Sequence, residues 1–308
     1  MNKNPEVLIL MSTWNGIEFL QSQIDSILAQ EKVNVTLFIR DDGSSDGTQQ
    51  LLNQYSQNFS NIQWYQGDNI KPAKSFMDLI YKSSNQYDYY AFSDQDDYWL
   101  PLKLYSGIQK LRDIKNQKEP LLYFSKKNLV DRNLKDLNYT DSYVRDVSLG
   151  AALLKSVASG CTMIFNAELF AELQSYHPIN ISMHDAWVYR VAAALGQVVY
   201  DSNSYILYRQ HGNNTVGAEL MNRQQRWIHR LSHLSSRKKN LCYSNLAKEL
   251  IKGYANKLEP DKYQLIYNFS RIPESVVARF KLIFSTKLKS QKPRNIIFLK
   301  TFILLGWM

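Results

Sequence analysis

The chain has 308 residues, of which 44% are hydrophobic and 13% aromatic, enough for one large domain, or a domain with an appendage, and too apolar for a disordered chain. Two cysteines, Cys161 and Cys242, exclude a disulfide framework and point to a reducing compartment. The net charge of +9 is uneven: residues 221–308 carry 18 Lys+Arg against 4 Asp+Glu, or +14, which leaves −5 for residues 1–220.

Met1–Glu6 is polar and lacks the charged-then-apolar pattern of a signal peptide. Val7–Met11 follows as a continuous apolar run, the pattern of a strand covered on both faces. Ile17–Ala29 places apolar residues at helical spacing, and Val33–Ile39 reads as a second strand. A turn-rich segment, Asp41–Gly47, leads into a second helix over Thr48–Tyr55 and a short strand over Ile62–Tyr65. Phe76–Tyr81 belongs to a third helix and Tyr87–Phe92 to a fourth strand. Further on, Leu121–Phe124, Cys161–Phe165 and Val198–Tyr208 are expected strands and Ala186–Leu195 an expected helix. From about residue 218 the chain reads as helical and basic, and no run reaches the roughly 20 apolar residues of a spanning helix.

Strands alternating with helices predict a parallel, doubly wound sheet, whose ligands bind beyond the carboxyl ends of the strands. Three such ends are polar: Ser12–Asn15, Arg40–Asp46 and Ser93–Asp97. In the second, a carboxylate could accept the imide N–H of a pyrimidine base or bind a ribose hydroxyl. Asp and Ser acting as helix caps account for the same residues equally well. In the third, Asp94, Asp96 and Asp97 crowd three carboxylates into four residues and require a compensating charge. A hard divalent cation, Mn2+ or Mg2+, would supply it through oxygen ligands and keep positions for phosphate oxygens. A solvated acidic turn before a helix near Pro101 is the bland reading, disfavoured by the apolar flanks on both sides. Asp185 in Met183–Trp187 reads in isolation as a helix cap, and His211 in Tyr208–Asn214 as a surface histidine.

Together, Ser93-Asp94-Gln95-Asp96-Asp97-Tyr98-Trp99, Gly160-Cys161-Thr162-Met163, His184-Asp185 and Tyr208-Arg209-Gln210-His211 resemble the family 2 glycosyltransferases with the GT-A fold. The resemblance covers about residues 5–215 and is nearest to bacterial rhamnosyltransferase-type enzymes of capsular and cell-wall polysaccharide synthesis. It implies an α/β, Rossmann-like, mainly parallel sheet flanked by helices over residues 1–217, with a basic helical extension over 218–308. It also implies an inverting transfer of one sugar from a nucleotide-sugar donor, dTDP-rhamnose or a UDP-sugar, to a hydroxyl of a glycan or lipid-linked saccharide. On that resemblance Ser12, Trp14 and Asp42 border the base, and Asp94 and Asp96 hold the metal and the donor. His211 adds a metal contact, Lys74 faces the diphosphate, and Asp185 is the general base. Two departures stand out. His184 replaces the usual acidic residue before the base. Arg223 stands where the Gln of the processive Gln-x-x-Arg-Trp motif would be, which argues for one sugar per encounter.

The basic region interleaves cationic and apolar side chains, as in Trp227–Leu231 and Arg279–Phe284, and ends in the apolar but short Ile296–Met308. This pattern suits helices lying on an anionic membrane surface, and predicts a cytoplasmic protein held peripherally at the inner face of the bacterial cell membrane. Three other classes weigh less. A sugar-nucleotide nucleotidyltransferase would want a basic, Gly-rich loop where Ser12-Thr13-Trp14-Asn15-Gly16 stands. A nucleic-acid-binding protein would not carry a net negative residue 1–220 segment. A non-catalytic carbohydrate-binding relative would lack one of the carboxylates.

Overall fold

The apolar run of Val7–Met11 lies wholly buried within β1 (Glu6–Thr13), between β2 (Asn34–Asp41) and β4 (Tyr89–Ser93), in parallel with both. β3 (Ile62–Gln66) extends the parallel set beyond β2. In the computed structural model, which describes residues 3–140, 144–211, 242–291 and 295–307, helices connect these strands as the alternation requires. They are α1 (Ile17–Leu28), α2 (Thr48–Asn58) and α3 (Pro72–Lys82), the last begun by a proline whose missing N–H costs nothing there. Val7, Ile9 and Met11 share one core with Leu20, Ile24 and Ile27 of α1, and α3 packs on β1 as well.

Past β4 the sheet becomes mixed. Its order is β3-β2-β1-β4-β8-β6-β9-β5, with β7 (Asp136–Thr140) beside β6 (Leu121–Val130). β8 (Ile164–Asn166) is antiparallel to both β4 and β6, while β9 (Gln197–Arg209) runs parallel to β6. β5 is only Tyr98–Trp99, paired antiparallel with Leu207 and Ile206. The expected strand over Cys161–Phe165 divides into a 3-10 turn, Gly160–Thr162, and β8. Asn166 ends β8 by accepting from the backbone N–H groups of Leu121 (2.8 Å) and Leu169 (3.1 Å), which starts α6 (Ala167–Ser175). α4 (Lys103–Arg112) follows β5, and α7 spans His184–Leu195.

Two compact units result. The first comprises residues 1–143, 157–177 and 183–209, and the second residues 144–156, 178–182 and 210–308. In the second unit α5 (Leu149–Leu154) packs against α8 (Cys242–Tyr254) and α9 (Pro260–Ser270). α10 (Val276–Ile283) packs on α9, and α11 (Asn295–Leu305) on α10. Leu246, Leu250, Tyr254, Ile266, Phe269 and Leu282 form its interior. The Arg223–Trp227 segment and the Trp227–Leu231 stretch fall outside the described residues.

Candidate active site

The parallel register sets Ser12 opposite Arg40, Thr13 opposite Asp41 and Met11 opposite Ser93, so the three polar strand ends meet at one edge. Gln95 ties them together. Its Oε1 accepts from Thr13 Oγ1 (2.6 Å) and Trp14 N (2.8 Å), and its Nε2 donates to the Trp14 carbonyl (3.2 Å). A Cβ on Gly16 would collide with this amide, so the glycine is what lets Gln95 lie under the β1 loop. Across the edge, Asn15 N donates to Ser44 Oγ (2.8 Å) and Ile17 N to Asp46 Oδ2 (3.1 Å).

Of the residues expected near a base, Ser12 is half-buried and Trp14 is exposed. Asp42 is buried. Its carboxylate forms an ion pair with Arg40 and accepts from Ser75 Oγ (2.6 Å), while its N–H donates to the Thr13 carbonyl (2.8 Å). Arg40 also donates to Asp78 (2.9 Å) and to the Asp68 carbonyl (3.0 Å). Lys74 is exposed on the first turn of α3, one residue before Ser75.

The acidic turn after β4 is asymmetric. Asp97 is buried: its Oδ1 accepts from Arg209 N (3.2 Å), and its Oδ2 has no hydrogen-bond partner among the described residues. Asp94 is half-buried as a residue, yet its carboxyl is enclosed, and burial raises its pKa to about 7, with Asp96 and then Asp185 adding to the rise. Asp97 is pushed well above the usual carboxylate range by burial first, then by Asp96 and Asp94. Beneath them, Lys103 is buried with its ammonium 3.5 Å from the centre of the Trp99 ring, and burial lowers its pKa to about 7 against the opposing pull of Cys161 and Asp97. One ligand atom each from Asp94, Asp97 and Cys161 lie within 4.8 Å of one another. The carboxyls of Asp94 and Asp97, which burial and mutual repulsion hold toward protonation, are a donor set a divalent ion fits, and their oxygens suit a hard one; the expected ligands Asp96 and His211 are not in this group.

Asp185 sits in the first turn of α7. Its Oδ2 accepts from Gly160 N (3.3 Å) and its Oδ1 from Ala186 N (2.6 Å), so both oxygens are aimed by backbone donors. Gly160 precedes Cys161, whose thiol lies by Asp94 and Asp97, and this joins the α7 terminus to the strand edge. His184 is buried beside it, stacked on Phe76 (4.0 Å between centroids) and edge-on to Phe92 (5.0 Å). Among the described residues neither ring nitrogen has a hydrogen-bond partner, and burial lowers its pKa to about 4. A Cβ on Gly160 would come within 2.7 Å of His184 Nε2, so this corner requires glycine. His211 stands two residues past the end of β9 and is half-buried; the role given to it rests on the motif.

Several participants were not legible as such in the chain. Arg209 donates from Nε to the Asp96 carbonyl (2.8 Å) and from its guanidinium to the Arg132 carbonyl, bracing the acidic turn from β9. Lys127 places its ammonium 4.3 Å from the Tyr208 ring centre and lowers the pKa of Asp94 and Asp97. Cys161 was visible only as part of a motif, and its place near two carboxylates follows from β8 pairing with β4.

The sequence model of the glycosyl transferase family 2 matches residues 8–170. A dTDP-rhamnosyl transferase, RfbG, of Shigella flexneri is 29% identical over 233 residues, which cover 68% of this chain and 74% of the relative. An uncharacterized glycosyltransferase of Rickettsia typhi is 25% identical over 224 residues, 70% of this chain and 68% of its own length. Among solved structures, S. aureus TarS 1–349 in complex with UDP-GlcNAc superposes with a TM-score of 0.61 at 15% identity, covering 97% of this chain and 81% of that one. The mannosyltransferase PcManGT of Pyrobaculum calidifontis, in complex with GDP-Man and Mn2+, gives 0.52 at 12% identity over 98% and 72% of the two chains. These structural likenesses establish the GT-A architecture of the sheet and its flanking helices. The family match spans more than half of the chain, over the very strands that carry the acidic turn, and the chain is therefore a member of glycosyl transferase family 2.

Proposed function

We propose that this glycosyltransferase is inverting and metal-dependent. In this reading it moves one sugar from a nucleoside-diphosphate donor, dTDP-rhamnose or a UDP-sugar, to a hydroxyl of a glycan carried on a lipid. The observation that supports it most is the seat of Asp185: it is held by Gly160 N, and the next residue, Cys161, has its thiol within 4.8 Å of a carboxylate oxygen of Asp94 and of Asp97. The relatives supply the donor chemistry, since RfbG is named for dTDP-rhamnose and the solved neighbours hold UDP-GlcNAc and GDP-Man.

Asp94 and Asp96 would hold Mn2+ or Mg2+, and such an ion offsets the charge that builds on a departing diphosphate. Ser12 and Trp14 border the base together with Asp42, whose carboxylate Arg40 and Ser75 orient, and Lys74 faces the diphosphate. Asp185, aimed by Gly160 N and Ala186 N, takes the proton of the acceptor hydroxyl as its oxygen attacks the anomeric carbon. The new C–O bond forms opposite the breaking bond to the diphosphate, so one displacement inverts the carbon. The basic region then keeps the enzyme at the anionic inner face of the cell membrane, beside its lipid-linked acceptor.

The test is a screen of UDP- and dTDP-sugars for metal-dependent hydrolysis and transfer. Asp185→Asn is expected to lower kcat by roughly 100- to 10,000-fold, the usual contribution of a general base, with donor KM little changed. Asp96→Ala is expected to remove the metal response. Full activity in both variants would overturn the assignment.

A further inference from the structure

Two helices of the second unit are amphipathic the wrong way round for water. In α10 the residues facing outward are Val276, Val277, Phe280 and Phe284 at its end, with Phe284 78% exposed, while Ala278 and Leu282 point inward. In α11 the outward residues are Ile297, Phe298, Leu304 and Leu305, with Ile297 75% exposed, while Phe302 and Ile303 are buried. A helix on a soluble surface shows its polar side to solvent. Here both sides are apolar: Arg279 of α10 donates to the carbonyls of Ile272 (2.7 Å), Pro273 (3.0 Å) and Leu304 (3.3 Å), and Lys281 and Lys300 lie at the margins by helical spacing. Apolar clusters of this kind mark an interaction site.

We infer that the outward face of α10 and α11 docks onto an anionic phospholipid bilayer. Charge decides among the possible occupants. From Ser275 to Met308 the sequence holds seven Lys and Arg and no Asp or Glu. A second copy of the chain seated on this patch would bring the same basic rim against itself, with no acidic residue in the segment to answer it. An anionic headgroup layer answers the two lysines at the margins of the face, Lys281 and Lys300. Lysines away from this face are matched by acids: Lys248 by Glu274 (2.8 Å), Lys252 by Glu249 (3.4 Å), Lys262 by Glu259 (3.7 Å), Lys287 by Asp261 (2.7 Å) and Lys289 by Asp146 (3.3 Å). The surface is therefore the last two helices rather than the basic region as a whole. α11 has 11 residues, about 16 Å of helix against a hydrocarbon core of about 30 Å, so it lies in the interface and does not cross it. This inference rests on the peripheral placement proposed above and narrows it to named side chains.

The test is flotation of the full chain with vesicles of phosphatidylcholine alone or mixed equally with phosphatidylglycerol. Phe280→Ser with Phe284→Ser, and separately Ile297→Ser with Phe298→Ser, remove apolar area from each helix at exposed positions. Circular dichroism checks that the helices remain. The wild-type chain is expected to float with the mixed vesicles, and each double variant to partition at least tenfold less. Lys281→Glu with Lys300→Glu should reduce binding to the mixed vesicles by about fivefold or more per lysine and leave phosphatidylcholine binding unchanged. No flotation of the wild type, or equal flotation of the apolar variants, would overturn the inference. So would a concentration-dependent dimer in lipid-free solution that these substitutions abolish. Donor hydrolysis by the same variants, without vesicles, separates the two readings: flotation without turnover removes the proposed reaction and leaves the surface, and turnover without flotation does the reverse.

Discussion

His184 is held by aromatic faces and has no hydrogen-bond partner for either nitrogen among the described residues, so burial favours its neutral form in the folded state. Its folded pKa of about 4 lies below the ordinary 6.5, and the unfolded chain takes up a proton that the folded one refuses. Stability contributed by the neutral ring is therefore complete above pH 6.5 and is lost as pH falls toward 4. The full span amounts to roughly 3 kcal/mol. His184→Phe keeps an aromatic ring against Phe76 and Phe92 and cannot titrate. Urea midpoints for both proteins at pH 7.5 and 4.5 should show a smaller acid-induced loss in the variant. Equal losses would mean that His184 is protonated or solvated in the folded state. The residue also explains the departure from the family pattern at this position: a carboxylate here would be buried against Phe76 and Phe92 with no cation to meet it.

At the scale of elements, the acidic turn is a bridge anchored at three points. Gln95 fixes it to the end of β1, Arg209 fixes the Asp96 carbonyl to the end of β9, and β5 pairs Tyr98–Trp99 with Ile206 and Leu207. Such anchoring holds carboxylates together against their repulsion, at a cost that the proposed cation would offset. Mn2+ added to the chelator-treated protein should therefore raise Tm by several degrees. An ion at a hundredfold its Kd contributes about 2.7 kcal/mol, and each kcal/mol is worth about 2–4 °C in a domain of 150–250 residues. Asp94→Asn and Asp96→Asn should each remove most of that rise. An undiminished rise in both would place the ion elsewhere. The β1–β4 set, its helices and the position of Asp94 and Asp96 were legible in the chain because each depends on a local pattern, an apolar run or a helical spacing. β5, the split of Cys161–Phe165, and the extension of β6 through Lys126 and Lys127 were not. Each of these is set by a partner strand distant in sequence, and polar residues in β6 hide its length. Arg209 was quoted only as a motif letter, since nothing near it in sequence reveals that it meets Asp96.

At the scale of the whole molecule, the two charge regimes suit the two tasks proposed above, transfer and membrane docking, and a second proposal concerns how many sugars are added. A processive enzyme must hold its product in place while a new donor enters, and the Gln-x-x-Arg-Trp motif of such relatives is broken here by Arg223. An enzyme that instead releases its product after each displacement adds one residue to each acceptor and then exchanges it. With a single defined acceptor and excess donor, mass spectrometry should show the acceptor plus one sugar, with no ladder as the donor is consumed. A ladder already present when most acceptor is still unmodified would mean that the chain keeps its product. The proposed membrane docking sharpens the expectation, because a lipid-linked product would leave the site by diffusing in the bilayer while the enzyme stayed on the surface. On mixed phosphatidylglycerol vesicles the turnover of a lipid-linked acceptor should then rise relative to free solution, and the product should still carry a single added sugar.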